Sequence, residues 1–562
     1  MMLFKRILRI FRYILIVLLT LILVISVYFR IAVVIEPPSP ENVGVLQTMV
    51  EYDTAGFLMC GNGRLQQNSY GLWELYVEGG PFEMGVINGK LTQSLISRQE
   101  EAFVNRIYEL VPSKSYLNVL KYFIAFFNRH MDKYVPGEYQ LEIYGISLSA
   151  DDEYDFIGSK YQRILNYHGA HDIGHALQNM NLVGCTAFAS WDGKSSGGEL
   201  LVGRNFDFHA GEEFNRDKII AFVKPENGFR FMFITWGGMI GVVSGMNEKG
   251  LTITLNAAKS DIPFSAATPV SILAREILQY AATIEEAFEI AKKRETFVSE
   301  AFLVGSGQED IAGVIEKTPD TTVLYIPDTN YLILTNHFLG DNFATDSLNC
   351  ENMRNTSTVY RSLRVEELMN GYDSLDVASA VEILRNREGL GNTDIGNGNE
   401  KAINQLIAHH SVVFKPAQGK VWVSAGPYQL GEYLCYDLNH VFERFPESTG
   451  PIILYEESGN IAKDGFLDSA DWKSFQEYRR IIGLVRKSIK DKNDTVFNLS
   501  YIVSLNPFFF EAYEVAGDRK NFEGDYQAAL KYYRKALECE IPTRYTRNAI
   551  EDKITDIQEQ IR

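Results

Sequence analysis

The sequence predicts an α+β chain with an N-terminal transmembrane helix and a C-terminal helical region. Three observations carry this. A basic flank precedes a long apolar run at the N-terminus. Beyond Gly184, short apolar runs alternate with glycine-containing turns, give way to helical spacing, and return. Near Asp471 the texture changes again, to small residues and aromatics at helical spacing.

Lys5, Arg6, Arg9 and Arg12 precede an apolar stretch over 13–29 broken only by Thr20 and Ser26, and 31–35 is apolar too. The stretch reads as one bilayer span, with the basic flank in the cytoplasm and the bulk of the chain outside. Tyr28, Phe29 and Arg30 stand where a signal peptide would carry small residues, so the reading is an uncleaved single-pass anchor in the cell membrane, segment 1–36. Pro37, Pro38 and Pro40 form a stiff linker. The second segment, 37–184, reads as mixed and mainly helical, with helical spacing over 94–110 and 116–131. In the third, 185–460, strands are predicted over 200–202, 219–223, 231–236, 242–246 and 251–255. Helices follow over 269–282 and 284–294, then strands over 301–304, 311–316, 322–326 and 331–335. This order predicts sheet layers covered by helices. In the fourth, 461–562, Gly517, Ala529 and Ala536 alternate with Tyr526 and Tyr533 over 511–542. That pattern resembles one tetratricopeptide repeat, which must stack on neighbouring helices because a lone repeat cannot bury its own face.

With 46% apolar and 22% charged residues among 562, the chain is a folded one. Its net charge of −18 repels phosphate backbones and argues against nucleic acid as a partner. The five cysteines are too widely spaced for a Cys-x-x-Cys metal or redox motif, and no pattern calls for a cofactor.

Several residues carry chemical potential. Cys185 opens a small-apolar segment; taken alone, a free cysteine is most often a core residue. Arg204 and Asp207 lie one hairpin further on, a charged pair at the end of an apolar strand. Asn247 and Gly250 make a turn. Asn256 and Asn336 stand at strand ends, where a side-chain amide could donate to a developing oxyanion. His168, His171, Asp172 and His175 cluster just before Gly184. The spacing of His171 and His175 would suit a metal pair on one helical face, but Gly174 interrupts the helix and no glutamate completes the motif. Packing or local hydrogen bonds are the favoured role for this cluster. His209, and the aromatic stretch 229–236, could line a pocket.

GCT at 184–186, GRNFDF at 203–208, GMNEKGL at 245–251, LN at 255–256 and TNHF at 335–338 together resemble the N-terminal-nucleophile hydrolases of the choloylglycine hydrolase and penicillin V acylase kind. The set is most similar to their relatives, the isopenicillin-N acyltransferase (acyl-CoA:6-aminopenicillanic-acid acyltransferase) family. VEGGPFEMGVINGK at 77–90 and STVYRSLR at 357–364 extend the resemblance over about 70–455, leaving the anchor and tail outside it.

The resemblance implies a four-layer αββα fold and self-cleavage between Gly184 and Cys185, with both chains staying together. Freed as an N-terminus, the α-amino group of Cys185 would serve as base for its own thiol, since no Cys/His/Asn arrangement is apparent. Asp207 would hold the new ammonium, Arg204 would lower the thiol pKa, and Asn256 and Asn336 would stabilise the oxyanion. Arg361 would tie the site together, with Arg364 one helical turn away as the alternative. The implied activity is hydrolysis of an N-acyl amide of small-molecule size, with acyl transfer to an amine as the second possibility. Export away from coenzyme A favours hydrolysis. Two rivals are a membrane-anchored interaction protein whose tail recruits a protein partner beside an inactive catalytic domain, and a metal-dependent hydrolase built on the histidines.

Overall fold

The computed structural model describes residues 2–53, 56–110, 122, 124–170, 172, 184–208, 211, 213–261, 263 and 265–561. The helix Met2–Ala32 forms, yet no helix among the described residues is long and apolar enough to cross a membrane. This overturns the transmembrane anchor, the membrane as a partner and the single-pass localisation. The uncharged run between Arg12 and Arg30 is only 17 residues, 13–29. At about 1.5 Å per residue it reaches about 25 Å, short of the roughly 30 Å hydrocarbon core of a bilayer.

Two sheets form the body. The smaller carries, in spatial order, Tyr331–Leu334, Thr186–Asp192, Gly198–Asp207, Ala408–Lys415, Lys420–Ser424 and Tyr433–Asp437, all antiparallel. The larger runs from Val50–Tyr52 through Leu58–Cys60, Gly63–Gln67, Trp73–Gly79, Ile219–Pro225, Phe231–Thr235, Ser244–Asn247, Leu251–Ala257, Glu300–Ser306 and Ile311–Lys317 to Thr322–Tyr325. The predicted strands of 200–335 recur across the two sheets, some longer than expected, such as Gly198–Asp207, and some shorter, such as Phe231–Thr235 and Tyr331–Leu334. The four strands over 50–79 were not predicted: three of them have five residues or fewer, and in the fourth, Trp73–Gly79, Glu74 and Glu78 interrupt the apolar run. Trp73–Gly79 pairs parallel to Ile219–Pro225, so the segment before Cys185 and the segment after it share one sheet, and that sheet is not wholly antiparallel.

Period-two side chains assign the layers. Ala187, Ala189, Leu200 and Val202 of the small sheet meet Ile220, Phe222, Met232, Ile234, Leu303 and Val314 of the large one. On the outer face of the small sheet, Phe188, Leu201 and Val413 pack on the helices Thr358–Asn370 and Val377–Leu384 through Val365, Met369, Val381 and Leu384. On the outer face of the large sheet, Ala221, Val223, Phe233 and Phe302 pack on Pro81–Leu91, Gly137–Ser147 and Val270–Tyr280 through Met84, Ile143 and Ile277. The result is four layers, αββα. Each fully buried large apolar side chain in such layers contributes about 1.5–3 kcal/mol.

The helix predicted over 94–110 is Gln93–Leu110, whereas much of 116–131 lies outside the described residues. The tail is a run of helices, Ala470–Lys490, Leu499–Leu505, Phe510–Phe522, Tyr526–Glu538 and Arg544–Ile561. The ring of Tyr533 fills the space where a side chain at 517 would stand. Tail residues Phe475, Ile482 and Phe510 share a core with Leu406, Tyr428 and Leu430 of the body.

Candidate active site

Cys185 sits one residue ahead of the strand Thr186–Asp192. Alternation places it on the side of Ala187 and Ala189, between the sheets. The neighbouring strands bring the other predicted residues to it. Ala187 faces Arg204 and Thr186 faces Asn205, so Asp207 continues past Cys185, and Gly184 N–H donates to the Asp207 carbonyl at 3.1 Å. On the opposite edge Leu334 faces Ala187, which carries Asn336 to the level of Cys185. All of these side chains are buried, with Cys185 at 1% exposure.

Arg204 Nη2 donates to Cys185 Sγ at 3.6 Å, and the thiol reaches the Asp207 carbonyl oxygen at 3.9 Å. The guanidinium is also fixed by Val243 O at 2.7 Å, Ser244 Oγ and Leu255 O. Burial pushes the Cys185 thiol up, and Arg204 offsets this only in part. The thiol therefore stays protonated in the uncut chain at neutral pH. Both Asp207 carboxylate oxygens are buried without a hydrogen-bond partner. Burial raises its pKa to about 7, although Arg361 and Arg204 pull it down.

Arg361 bridges the site. Its Nη1 donates to Gly184 O at 2.8 Å, Cys185 O at 2.5 Å and Thr186 Oγ1 at 2.9 Å, and its Nη2 to Asn336 Oδ1 at 2.7 Å. Arg364 instead binds Glu367, Asn386 and Asn392 away from Cys185. Asn256 Nδ2 donates to Leu334 O at 3.2 Å and Thr335 O at 2.8 Å, which uses both its hydrogens. Asn336 Nδ2 donates to Ala257 O at 3.0 Å. Neither asparagine is bonded to the Gly184 carbonyl.

The second donor to that carbonyl is a residue that sequence reasoning missed. Gln405 Nε2 lies 2.7 Å from Gly184 O and the residue is 2% exposed. A side chain at 184 would place its Cβ 2.5 Å from both terminal atoms of Gln405, so only glycine admits this contact. Ser244, His409 and His410 were missed too. Because Arg204 donates to Ser244 Oγ, the hydroxyl hydrogen is free to go to His410 Nε2 at 2.8 Å. His410 Nδ1 then faces His409 Nδ1 at 2.9 Å. Two adjacent histidines in a buried strand, Ala408–Lys415, were the available signal.

The histidine cluster resolves only in part. His168 engages Ile164 O through Nδ1 at 2.8 Å and accepts from Ile240 N–H through Nε2 at 3.1 Å. Both ring nitrogens are thus spent on structure, and burial holds its pKa at about 4. Asp172 accepts from Val270 N–H at the start of a helix. His171, His175 and His209 lie outside the described residues. Of the 229–236 stretch, Phe231 and Phe233 are core. Trp236 lines a small space of about 50 Å³ with Phe208 and Phe214.

Comparison with known proteins places residues 193–428 in a match to the family described as acyl-coenzyme A:6-aminopenicillanic acid acyl-transferase, the family that the motifs resemble. An "Uncharacterized protein" of Archaeoglobus fulgidus is 27% identical over 304 residues, 50% of this chain and 48% of that one. Protein dcd1B of Dictyostelium discoideum is 22% identical over 276 residues, 46% of this chain and 52% of that one. The chain thus spans about half the length of these relatives. Among solved structures, a Caenorhabditis elegans N-acylethanolamine-hydrolyzing acid amidase ortholog is 20% identical, over 42% of this chain and 93% of that chain, with a TM-score of 0.30. A variant of the conjugated bile acid hydrolase from Clostridium perfringens is 15% identical, over 49% and 98%, with a TM-score of 0.33.

Proposed function

We propose that this chain, which matches the acyl-coenzyme A:6-aminopenicillanic acid acyl-transferase family over 193–428, cuts itself between Gly184 and Cys185. It then acts through an N-terminal cysteine on the carbonyl of an N-acyl amide. The observation that carries the reading is the Gly184 carbonyl, held by Arg361 at 2.8 Å and Gln405 at 2.7 Å beside a cysteine thiol.

In maturation the Cys185 sulfur attacks the Gly184 carbonyl carbon. The C–S bond forms, the C–N bond breaks, and the thiol proton passes to the departing nitrogen. The negative charge on the carbonyl oxygen falls on Arg361 Nη1 and Gln405 Nε2. Water then opens the thioester, giving a Gly184 carboxylate and a free thiol. The new α-amino group, with an ordinary pKa of about 7.7–8, is a base that the peptide nitrogen was not. Asp207 supports this step: its buried, unpartnered carboxylate supplies the counter-charge an ammonium at Cys185 needs.

The mature thiol would then attack a substrate amide, with the substrate carbonyl taking the place of Gly184's. Water resolves the acyl-enzyme in an amidase and an amine resolves it in an acyltransferase. The family match favours acyl transfer or amide hydrolysis without separating them. The case for hydrolysis from export no longer stands, since it depended on the membrane anchor.

The test is N-terminal sequencing and intact mass of the purified chain beside Cys185→Ala. A fragment beginning Cys-Thr-Ala-Phe from the wild type alone is the expected result. Two whole chains under native conditions would refute it and return the inactive-domain and metal readings to the front.

A further inference from the structure

The proposed carbonyl chemistry touches none of the helical tail. Yet one of the two donors to Gly184 O comes from Gln405. That residue belongs to the irregular connection 385–407, between the helix Val377–Leu384 and the strand Ala408–Lys415. A donor stabilises an oxyanion well only if it is held in place beforehand, and one carried on a loop needs support from outside the loop.

The body holds the two ends of this connection. Asn404 N–H donates to Asn386 O at 2.8 Å, and Asn205 Nδ2 donates to Ile403 O at 3.0 Å. The tail holds its middle. Asn397 N–H donates to Asn506 Oδ1 at 3.1 Å, and Asn506 Nδ2 donates back to Asn397 O at 2.8 Å. Asn399 Nδ2 donates to Glu540 O at 2.8 Å, and Lys401 pairs with the Glu540 carboxylate. Connection and tail also meet backbone to backbone. A Cβ at Gly396, where φ is +82°, would stand 2.5 Å from Phe509 N, so the contact requires glycine.

This grip extends to the residue beside Gln405. Leu406 is fully buried at a φ of 56°, a left-handed conformation that a bulky side chain keeps only where its surroundings enforce it. It shares a core with Tyr428 and Leu430 of the body and with Phe475, Tyr478 and Phe509 of the tail. Loosening that core would let the backbone rotate next to Gln405 and carry its amide away from Gly184 O.

We propose that the tail is a clamp on this connection, and that Asn506 and Phe509 are positioning residues for self-cleavage, acting through Gln405. This rests on the reading that Cys185 attacks the Gly184 carbonyl.

The experiment is a double-mutant cycle on the full chain. Appearance of the Cys-Thr-Ala-Phe terminus is followed by intact mass in wild type, Asn506→Ala, Gln405→Ala and the double variant, with a melting curve for each. Asn506→Ala removes both bonds to Asn397 and should slow maturation at least fivefold. In the Gln405→Ala background the same change should slow it less than twofold, because the group it acts through is gone. A general loss of stability would slow both backgrounds alike. A slowing under fivefold in the first background, or of twofold or more in the second, overturns the proposal. Should Asn506→Ala not melt cooperatively, Glu540→Gln takes its place, since that side chain is 40% exposed. A slowing of at least twofold in the wild-type background alone is then the expected result, and anything else overturns the clamp. Absence of the Cys-Thr-Ala-Phe terminus in the wild type instead overturns the maturation reading on which it rests.

Discussion

Replacing Gln405 by alanine should slow the appearance of the Cys185 terminus without abolishing it. Gly184 O has two donors, and the change removes the one at 2.7 Å while leaving Arg361 at 2.8 Å. Loss of one oxyanion donor in a buried site costs about 10²–10³ in rate, or about 3–4 kcal/mol of barrier. The fold should lose less, about 1–3 kcal/mol, the usual cost of a buried hydrogen bond whose partner is removed. The assay follows the 63.7 kDa chain by intact mass after purification at low temperature, with a melting curve for each variant. Gln405→Glu adds a reading that a packing role would not produce. An ionised carboxylate repels the oxyanion, whereas a protonated one can donate to it. Relative to wild type at each pH, this variant should therefore mature faster as pH falls. The reasoning is refuted if Gln405→Ala matures within threefold of wild type, or if the Gln405→Glu ratio is flat with pH.

Three further outcomes follow from the same geometry. Gly184→Ala should displace Gln405, slow maturation at least a hundredfold and destabilise the fold by about 1–3 kcal/mol, read by mass and melting. Asp207 is an acid whose folded pKa of about 7 lies above its unfolded value near 4, so the uncut fold holds its proton more tightly. Its contribution is favourable below pH 4 and is lost as pH rises to about 7, by on the order of 4 kcal/mol. In uncut Cys185→Ala, adding Asp207→Asn should raise the melting temperature more at pH 8 than at pH 5; an equal change at both would contradict this. Ser244→Ala breaks the link between Arg204 and His410. It should lower the acylation rate about tenfold while leaving the self-cleaved fraction unchanged at long times, as measured with p-nitrophenyl octanoate.

The body of the fold was legible because its strands are apolar, alternating and separated by turns, and period two then fixed which side chains meet between the sheets. The strands over 50–79 escaped because three are short and the fourth, Trp73–Gly79, is interrupted by Glu74 and Glu78. Cys185, Arg204, Asp207, Asn336 and Arg361 could be named because they stand at strand ends or on a helix in recognisable motifs. The choice between Arg361 and Arg364 needed coordinates: both lie on one helix, and only the position of Gly184 distinguishes them. Gln405 left no trace in the sequence. It is one polar residue in an irregular stretch, just before Leu406 at a positive φ of 56°. Its importance comes from a carbonyl 221 residues away. The N-terminal run misled because its apolar character is genuine but its uncharged length is short.

The parallel pairing of Trp73–Gly79 with Ile219–Pro225 sets how reversible a cut at Gly184 could be. One product would own the strands at one edge of the large sheet and the other product the rest, with a ladder of seven residue pairs holding them together. Folding of the intact chain is a first-order event, independent of concentration. Reassembly after the cut would be second-order, and dilution after denaturation would leave two incomplete sheets. The native two-chain state would then owe its persistence to the slowness of unfolding, a memory of connectivity that the molecule no longer has.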